Sequence, residues 1–125
     1  MSDQNPEFIK IKNLDDAKKE IKKIGSDKYS IDIMAPKAVT KVIKLKNVTL
    51  QDAIIIKQDM LSIGGEVAVP RNTFELKEKK ADILVIGNIS QHLLLVKKLN
   101  RHYPRIKKIA TDLELLLKEY IYENF

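Results

Sequence analysis

The chain has 125 residues, of which 44% are hydrophobic and 32% are charged, and its formal net charge at pH 7 is +6. This length and apolar share predict one globular domain over residues 1–125 and exclude two independent cores, a disordered chain and a membrane span. Because the first residues are polar and do not resemble a secretory signal, we expect a cytoplasmic protein.

Cysteine is absent from the chain, which removes disulfides, thiolate metal ligands and cysteine nucleophiles. The net positive charge favours a polyanionic partner. However, the lysines alternate with acids, for example at residues 15–20, as they do on a solvated surface. Aromatic residues, which would stack on bases, are only 6% of the chain and gather towards its C-terminal end. Nucleic-acid binding is therefore a weaker alternative.

The amino-terminal third is expected to contain two strands and one helix. Residues 1–7 predict a flexible start, and residues 8–11 predict a short strand. Asn13 can cap a helix that ends at Gly25, because apolar residues recur between them at spacings of three and four. Alternating β-branched residues predict a second strand at residues 29–34.

The rest of the chain predicts further strands and helices. Thr49 and Asp52 form an approximate capping box that opens the best-marked helix, which ends at Gly64. Continuous apolar residues at 82–87 are typical of a buried parallel strand. The other predicted elements are a strand at 39–48 whose spacing would also suit a helix, a strand at 66–69, a charged connection at 71–81, a helix starting at 88–91 and a last helix after Pro104. The predicted order β-α-β-β-α-β-β-α-α is an α/β class, with helices packed on a compact mixed sheet.

The last helix contains more leucine than one apolar stripe can hold. Leu113, Leu115, Leu116 and Leu117 cannot all face the same side of a helix. We therefore predict a homodimer through this helix. The alternative is a helix that lies in a wide groove of its own domain.

None of the common catalytic signatures is present in the sequence. The chain lacks the phosphate-loop, dinucleotide-binding, hydrolase-elbow and zinc-protease motifs. His92 and His102 would lie roughly 15 Å apart along one helix, so we predict one surface histidine, one histidine at a helix end, and no metal or cofactor. Asp32, Asp59 and Glu66 are predicted to form ion pairs rather than to act as general acids or bases.

The pair Gly64-Gly65 marks the candidate binding site. Glycines can expose backbone N–H groups in conformations closed to other residues, and nearby cations would suit a phosphate or carboxylate. The helix start that follows a buried strand is also a common ligand position in α/β folds. The alternative is that the glycine pair only ends a helix, with its neighbouring cations solvated. The predicted ligand-binding residues are Lys37, Lys57, Gln58, Gly64, Gly65, Glu66, Arg71 and Gln91.

Three segments carry a resemblance to a known family. They are residues 33–37 (IMAPK), residues 57–71 (KQDMLSIGGEVAVPR) and residues 82–91 (DILVIGNISQ). They resemble the N-terminal, non-barrel domain that precedes the catalytic barrel of some bacterial dihydropteroate synthases, and also standalone archaeal proteins related to that enzyme. In that family the synthase chemistry belongs to the barrel, so the resemblance implies a domain that does not make dihydropteroate by itself.

Two main functions stay open. The first is a non-catalytic accessory domain of pterin biosynthesis, which the resemblance implies and which would bind an anionic pterin-type ligand or dock on a pterin-pathway enzyme. The second is an enzyme of unrecognised type that uses Lys57, Glu66 and Arg71 in a cleft at the glycine pair. The enzyme hypothesis requires these charged groups to converge in one concave pocket.

Overall fold

A computed structural model of the chain describes residues 2–71 and 79–123. The α/β class is confirmed, because helices pack against a three-stranded sheet. Most of the predicted charged connection lies outside the described residues. The elements are α1 (Leu14–Ile24), α2 (Lys28–Met34), a 3₁₀ turn (Ala35–Lys37), β1 (Thr40–Thr49), α3 (Leu50–Ile63), β2 (Glu66–Ala68), β3 (Lys80–Asn88), α4 (Ile89–Leu99) and α5 (Pro104–Glu123).

The two strands predicted in the amino-terminal third are wrong. Residues 29–34 belong to helix α2. The Asp27 side chain accepts a hydrogen bond from the Ser30 N–H at 2.9 Å. This N-terminal cap favours a helix over the strand that the alternating pattern predicted. Residues 8–11 form no strand. Phe8 in this segment is fully exposed, and a strand without a hydrogen-bonded neighbour gains nothing from its β propensity.

The sheet is antiparallel in all its described strands. β3 is the central strand and pairs antiparallel with β1 on one side and with β2 on the other. The expectation of a mixed sheet with a buried parallel strand at residues 82–87 is therefore wrong. Ile83 and Val85 are buried on the inner face, whereas Leu84 on the outer face is 38% exposed. The continuous apolar run thus reflects an apolar outer face, not burial on both faces.

A β-bulge interrupts β1 near its end. The regular register stops at Leu45 opposite Ile83 and resumes at Val48 opposite Ala81. Three steps along β1 therefore match two along β3, so β1 carries one extra residue. Asn47 lies in this interval with a φ of 55°, a left-handed conformation that asparagine tolerates better than most residues.

Helices α3 and α4 pack on the sheet, and α5 packs mainly on α4. The buried residues of α5 follow one stripe with spacings of four, three and four, while Leu115 and Leu116 are 57% and 50% exposed. The residues of this buried stripe are Ile106, Ala110, Leu113 and Leu117. The homodimer therefore stays a prediction.

Among the helices of the described ranges, none combines the length and the apolar character that crossing a bilayer requires.

Candidate functional site

Five of the eight predicted ligand-binding residues line one open cleft of about 260 Å³. They are Lys37, Gly64, Gly65, Glu66 and Gln91. The cleft lies where the end of α3, the start of β2 and the β3–α4 junction meet. We call it the glycine-turn cleft, and its described lining residues are Lys37, Thr40, Gly64, Gly65, Glu66, Ile86, Gly87, Asn88 and Gln91.

The glycine pair ends helix α3. Gly64 adopts a left-handed φ of 97°, and its N–H donates to the carbonyl of Leu61 at 3.0 Å. The N–H of Gly65 donates to the carbonyl of Met60 at 3.0 Å. Both backbone donors are therefore used by the helix end. The expectation that these N–H groups are exposed to an anion is wrong, because both are hydrogen-bonded to carbonyl groups in the last turn of α3.

Gly65 and Gly87 both line the cleft, and neither position has room for a side chain. A Cβ added at Gly65 would lie 2.6 Å from Met60 Cε and 2.9 Å from the carbonyl oxygen of Ile86. A Cβ added at Gly87 would lie 2.5 Å from the same methionine carbon. The buried Met60 side chain thus occupies the space that side chains at these two positions would need.

Glu66 supplies the carboxylate of the cleft. Its Oε1 accepts hydrogen bonds from the Val67 N–H at 2.8 Å and from Lys57 Nζ at 3.0 Å. These two contacts, the backbone one first, hold the pKa of Glu66 below its usual range. Both contacts use Oε1, so within the described residues Oε2 has no partner and can accept hydrogen bonds from a ligand.

The remaining predicted residues lie outside the lining of the cleft. Lys57 Nζ is held by the Val67 carbonyl at 2.7 Å in addition to Glu66, which keeps it beside β2. Gln58 and Arg71 are exposed, and neither lines the cleft. The three charged groups of the enzyme hypothesis are thus not brought together in one cleft by the described residues.

The start of α4 supplies amide groups. The Asn88 side chain accepts from the Gln91 N–H at 2.8 Å, and Gln91 Oε1 accepts from the Asn88 N–H at 2.8 Å. This reciprocal capping box fixes both side chains. The other end of the Gln91 amide, Nε2, lies beside Gly64. The glycine-turn cleft therefore combines amide donors, one carboxylate and one ammonium group.

A second cleft, which the sequence did not indicate, lies between the bulged end of β1 and helix α5. Its volume is about 470 Å³. In the sequence, its lysines have the pattern of a solvated surface. The one sequence feature that could have indicated this cleft is the spacing of Arg105, Lys108 and Asp112, which places three charged side chains on one face of a helix. We call it the basic cleft, and it is lined by Lys44, Leu45, Lys46, Asn47, Val48, Thr49, Asp52, Lys80, Arg105, Lys108, Ile109 and Asp112.

A buried carboxylate lies at the base of the basic cleft. Asp52 is only 1% exposed. Arg105 donates to both of its oxygens, at 2.6 and 2.9 Å, and the Tyr103 hydroxyl donates to Oδ1. Burial acts to raise the pKa of Asp52, but the hydrogen bonds from Arg105, Tyr103 and Thr49 outweigh it, so this pKa lies below its usual range.

The predicted ion pairs of Asp32 and Glu66 are confirmed, and Asp59 also has a side-chain partner. Asp32 lies 3.6 Å from Lys18 Nζ, and Glu66 pairs with Lys57 at 3.0 Å. The contact of Asp59 is a hydrogen bond with His102 Nε2 at 2.9 Å, which is an ion pair when the imidazole is protonated. These acids serve as contacts between neighbouring elements.

The two histidines differ from the prediction in one respect. His102 follows the end of α4, as expected for one of the two. The prediction that one histidine lies on the surface is wrong, because His102 is partly buried and His92 is buried at 1% exposure. Its Nε2 is 2.8 Å from the carbonyl oxygen of Lys41 on β1, and burial lowers its pKa. Within the described residues, no group of three metal-ligating side chains is close enough to hold an ion.

These features define an α/β protein with two clefts that are lined in part by charged side chains. No family model matches the chain, and no solved structure matches it. The chain is 32% identical over 111 residues, or 89% of its length, to the bifunctional dihydropteroate synthase/dihydropteroate reductase of Helicobacter pylori (strain ATCC 700392 / 26695). It spans 29% of that enzyme's length. The resemblance to a dihydropteroate synthase-bearing protein is thus confirmed as a partial relationship. Its assignment to the non-barrel domain and to archaeal proteins stays a prediction.

Proposed function

We propose that this chain acts as a non-catalytic accessory domain of pterin metabolism and binds a pterin-type ligand in the glycine-turn cleft. The observation that carries the proposal is the convergence of Lys37, Glu66 and Gln91 in one cleft. The partial relationship to an enzyme that acts on dihydropteroate supplies the ligand class.

The chemistry of a pterin ring suits these side chains. The ring carries an amino group and a ring N–H on one edge, and a single carboxylate oxygen such as Glu66 Oε2 can accept a hydrogen bond from that edge while Oε1 keeps its contacts with Val67 and Lys57. Glu66 offers this acceptor, and its lowered pKa keeps it ionised at neutral pH. Gln91 Nε2 and the Thr40 hydroxyl are donors for the ring carbonyl and ring nitrogens. Lys37 is the cation for an anionic substituent.

Docking on a pterin-pathway enzyme is the second form of this proposal. The relative is more than three times as long as the matched region, since this chain spans 29% of it. A domain that is covalently joined to a synthase in one protein can act as its separate partner in another. This form predicts binding to a synthase barrel with or without a pterin in the cleft.

A catalytic function is the alternative, and the relative's name indicates its type. The second activity in that name is dihydropteroate reductase, a reaction in which a hydride from a nicotinamide or reduced flavin, together with a proton, reduces the dihydropterin ring. The test is oxidation of NADPH by the purified chain with dihydropteroate, with and without added flavin. A turnover that the Glu66→Gln variant loses would replace the accessory function with this one.

Binding of the ring is tested with a pterin that carries no phosphate. We expect 7,8-dihydropterin at a hundredfold excess over its dissociation constant to stabilise the protein by about 2.7 kcal/mol, which raises the Tm by about 5 °C or more. Glu66→Gln should remove most of this shift, because one carboxylate oxygen is replaced by a donor. Asp32→Asn, a matched change at an exposed ion pair, should retain it. Equal shifts in both variants, or no shift in the unmodified protein, would contradict the proposal.

A further inference from the structure

We propose that the basic cleft is a second ligand site, which binds a compact anion that carries phosphate or pyrophosphate. The inference rests on the cleft's own charge and geometry and does not depend on pterin binding at the glycine turn. Its lining includes five basic side chains and two acidic ones. The basic side chains are Lys44, Lys46, Lys80, Arg105 and Lys108.

Among the described lining residues, the acids do not neutralise the positive charge of the basic cleft. Asp52 is buried and its charge is already balanced by Arg105, which leaves Asp112 as the other acid in the lining. Lys44 Nζ lies 3.9 Å from an exposed Asp82 oxygen, at the limit of an ion pair. Within the described ranges, Lys46 and Lys108 form no ion pair. Several like charges around one concavity raise the local concentration of anions.

Arg105 is held in a fixed position before any ligand arrives. Its Nε and Nη2 bond the two oxygens of Asp52, and its guanidinium carbon lies 5.1 Å from the centre of the Tyr103 ring. Its third nitrogen, Nη1, takes part in neither contact with Asp52. An arginine whose rotamers are already fixed loses less entropy on binding an anion than a free one.

The β-bulge shapes the opposite side of the cleft. The Asn47 N–H donates to Asp82 Oδ1 at 3.1 Å, which pins the bulged backbone between Lys46 and Val48. Bulges commonly re-aim side chains next to functional sites. Here the bulge places Lys46 and Asn47 in the lining that faces Arg105 and Lys108 of α5.

The size and composition of the cleft favour a small molecule over a nucleic acid. Its volume of about 470 Å³ lies within the usual range for small-molecule sites. Leu45, Val48 and Ile109 provide an apolar wall, and none of the lining residues that the structure describes is aromatic, so these residues offer no ring on which bases could stack. The described lining of the glycine-turn cleft has one cation and one carboxylate. An anion with several charges is therefore attracted more strongly to the basic cleft.

Calorimetric titration of the whole chain with inorganic pyrophosphate tests the inference. We expect the double variant Lys46→Gln/Lys108→Gln to weaken binding at least tenfold, because both lysines are exposed lining residues and their removal leaves the core intact. Lys28→Gln/Lys97→Gln removes the same charge at exposed positions elsewhere and should change the affinity less than twofold.

Three outcomes would overturn the proposal. They are the absence of pyrophosphate binding, equal weakening by the two double variants, and tighter binding of a single-stranded oligonucleotide through the same lysines. The Glu66→Gln variant separates the two sites. It should bind pyrophosphate like the unmodified protein, so a failure of the pterin proposal and a failure of this one give different results.

Discussion

Arg105 and Asp52 form a two-point ion pair that joins the start of α5 to the first turn of α3. The guanidinium Nε donates to Oδ2 at 2.6 Å and Nη2 donates to Oδ1 at 2.9 Å. The carboxylate is almost completely buried, whereas the arginine side chain is half exposed. Because a buried carboxylate requires its donors, this pair connects the stability of the fold to the geometry of the basic cleft.

Removal of the buried carboxylate should destabilise the protein. We expect Asp52→Ala to lower the free energy of unfolding by about 2 to 3 kcal/mol, because Tyr103 and Arg105 lose their acceptor and a small void remains. Urea denaturation followed by circular dichroism measures the change. Asp112→Ala, an exposed acid of the same cleft, should alter it by less than about 0.5 kcal/mol. Similar losses in the two variants would show that burial of Asp52 is unimportant.

The stabilisation by Asp52 should depend on pH. Its pKa in the folded protein lies below the ordinary value of 3.8, so its contribution is complete well above pH 3.8 and is lost as the pH falls through the lowered pKa. The difference in unfolding free energy between the unmodified protein and Asp52→Ala should therefore be smaller at pH 2.5 than at pH 6. A difference that is the same at both values would contradict the lowered pKa.

The contact between Met60 and the glycine-turn cleft predicts a steric penalty. Gly87→Ala would place its Cβ 2.5 Å from Met60 Cε, and we expect a loss of about 1 to 3 kcal/mol from overpacking. In a Met60→Ala background the same change should cost less, because the clashing group is absent. Thermal denaturation of the four proteins gives this coupling. A penalty that is unchanged in the Met60→Ala background would show that the strain does not arise from contact with Met60.

His92 should be uncharged at neutral pH. Burial lowers its pKa from 6.5, so the unfolded chain binds a proton more readily than the folded protein just below that pH, and stability falls as the pH drops through 6.5. An NMR titration should give a midpoint below 6.5 for His92. The His92→Gln variant keeps a donor for the Lys41 carbonyl, and its stability should vary less between pH 7.5 and pH 5.5. A midpoint above 6.5 would contradict the effect of burial.

The predicted homodimer through α5 can be tested by light scattering after size-exclusion chromatography. Leu115, Leu116 and Tyr122 are 57%, 50% and 81% exposed, and a contact through them would bury apolar area that now faces solvent. Leu115→Lys/Leu116→Lys should then convert a dimer to a monomer without loss of helix content. A monomeric unmodified protein would favour the alternative, in which α5 only packs on its own domain.

Local signals in the sequence determined most of the helices. The caps Asn13, Thr49 and Asn88 were recognisable, and the helices begin immediately after them. Capping hydrogen bonds connect residues only three positions apart, so they need no information about the rest of the fold. The glycine pair likewise indicated a helix end, and five predicted residues of the glycine-turn cleft lie together.

The strands depended on pairing, which the sequence did not reveal. Residues 8–11 have strand-like composition, but no described strand pairs with them. The apolar run in β3 did not indicate antiparallel pairing, because its outer face is also apolar. Strand propensity becomes structure only when a neighbour completes the hydrogen bonds.

The basic cleft was decided by the tertiary structure alone. Asp52 and Arg105 are separated by 53 positions, and the lysines of β1 and α5 each looked like ordinary surface residues. Folding of α5 along the bulged end of β1 places these charges around one cavity and buries the Asp52 carboxylate that orders Arg105. Electrostatic attraction depends on the distance between charges in space. The periodicity of a sequence does not give this distance for residues in remote segments.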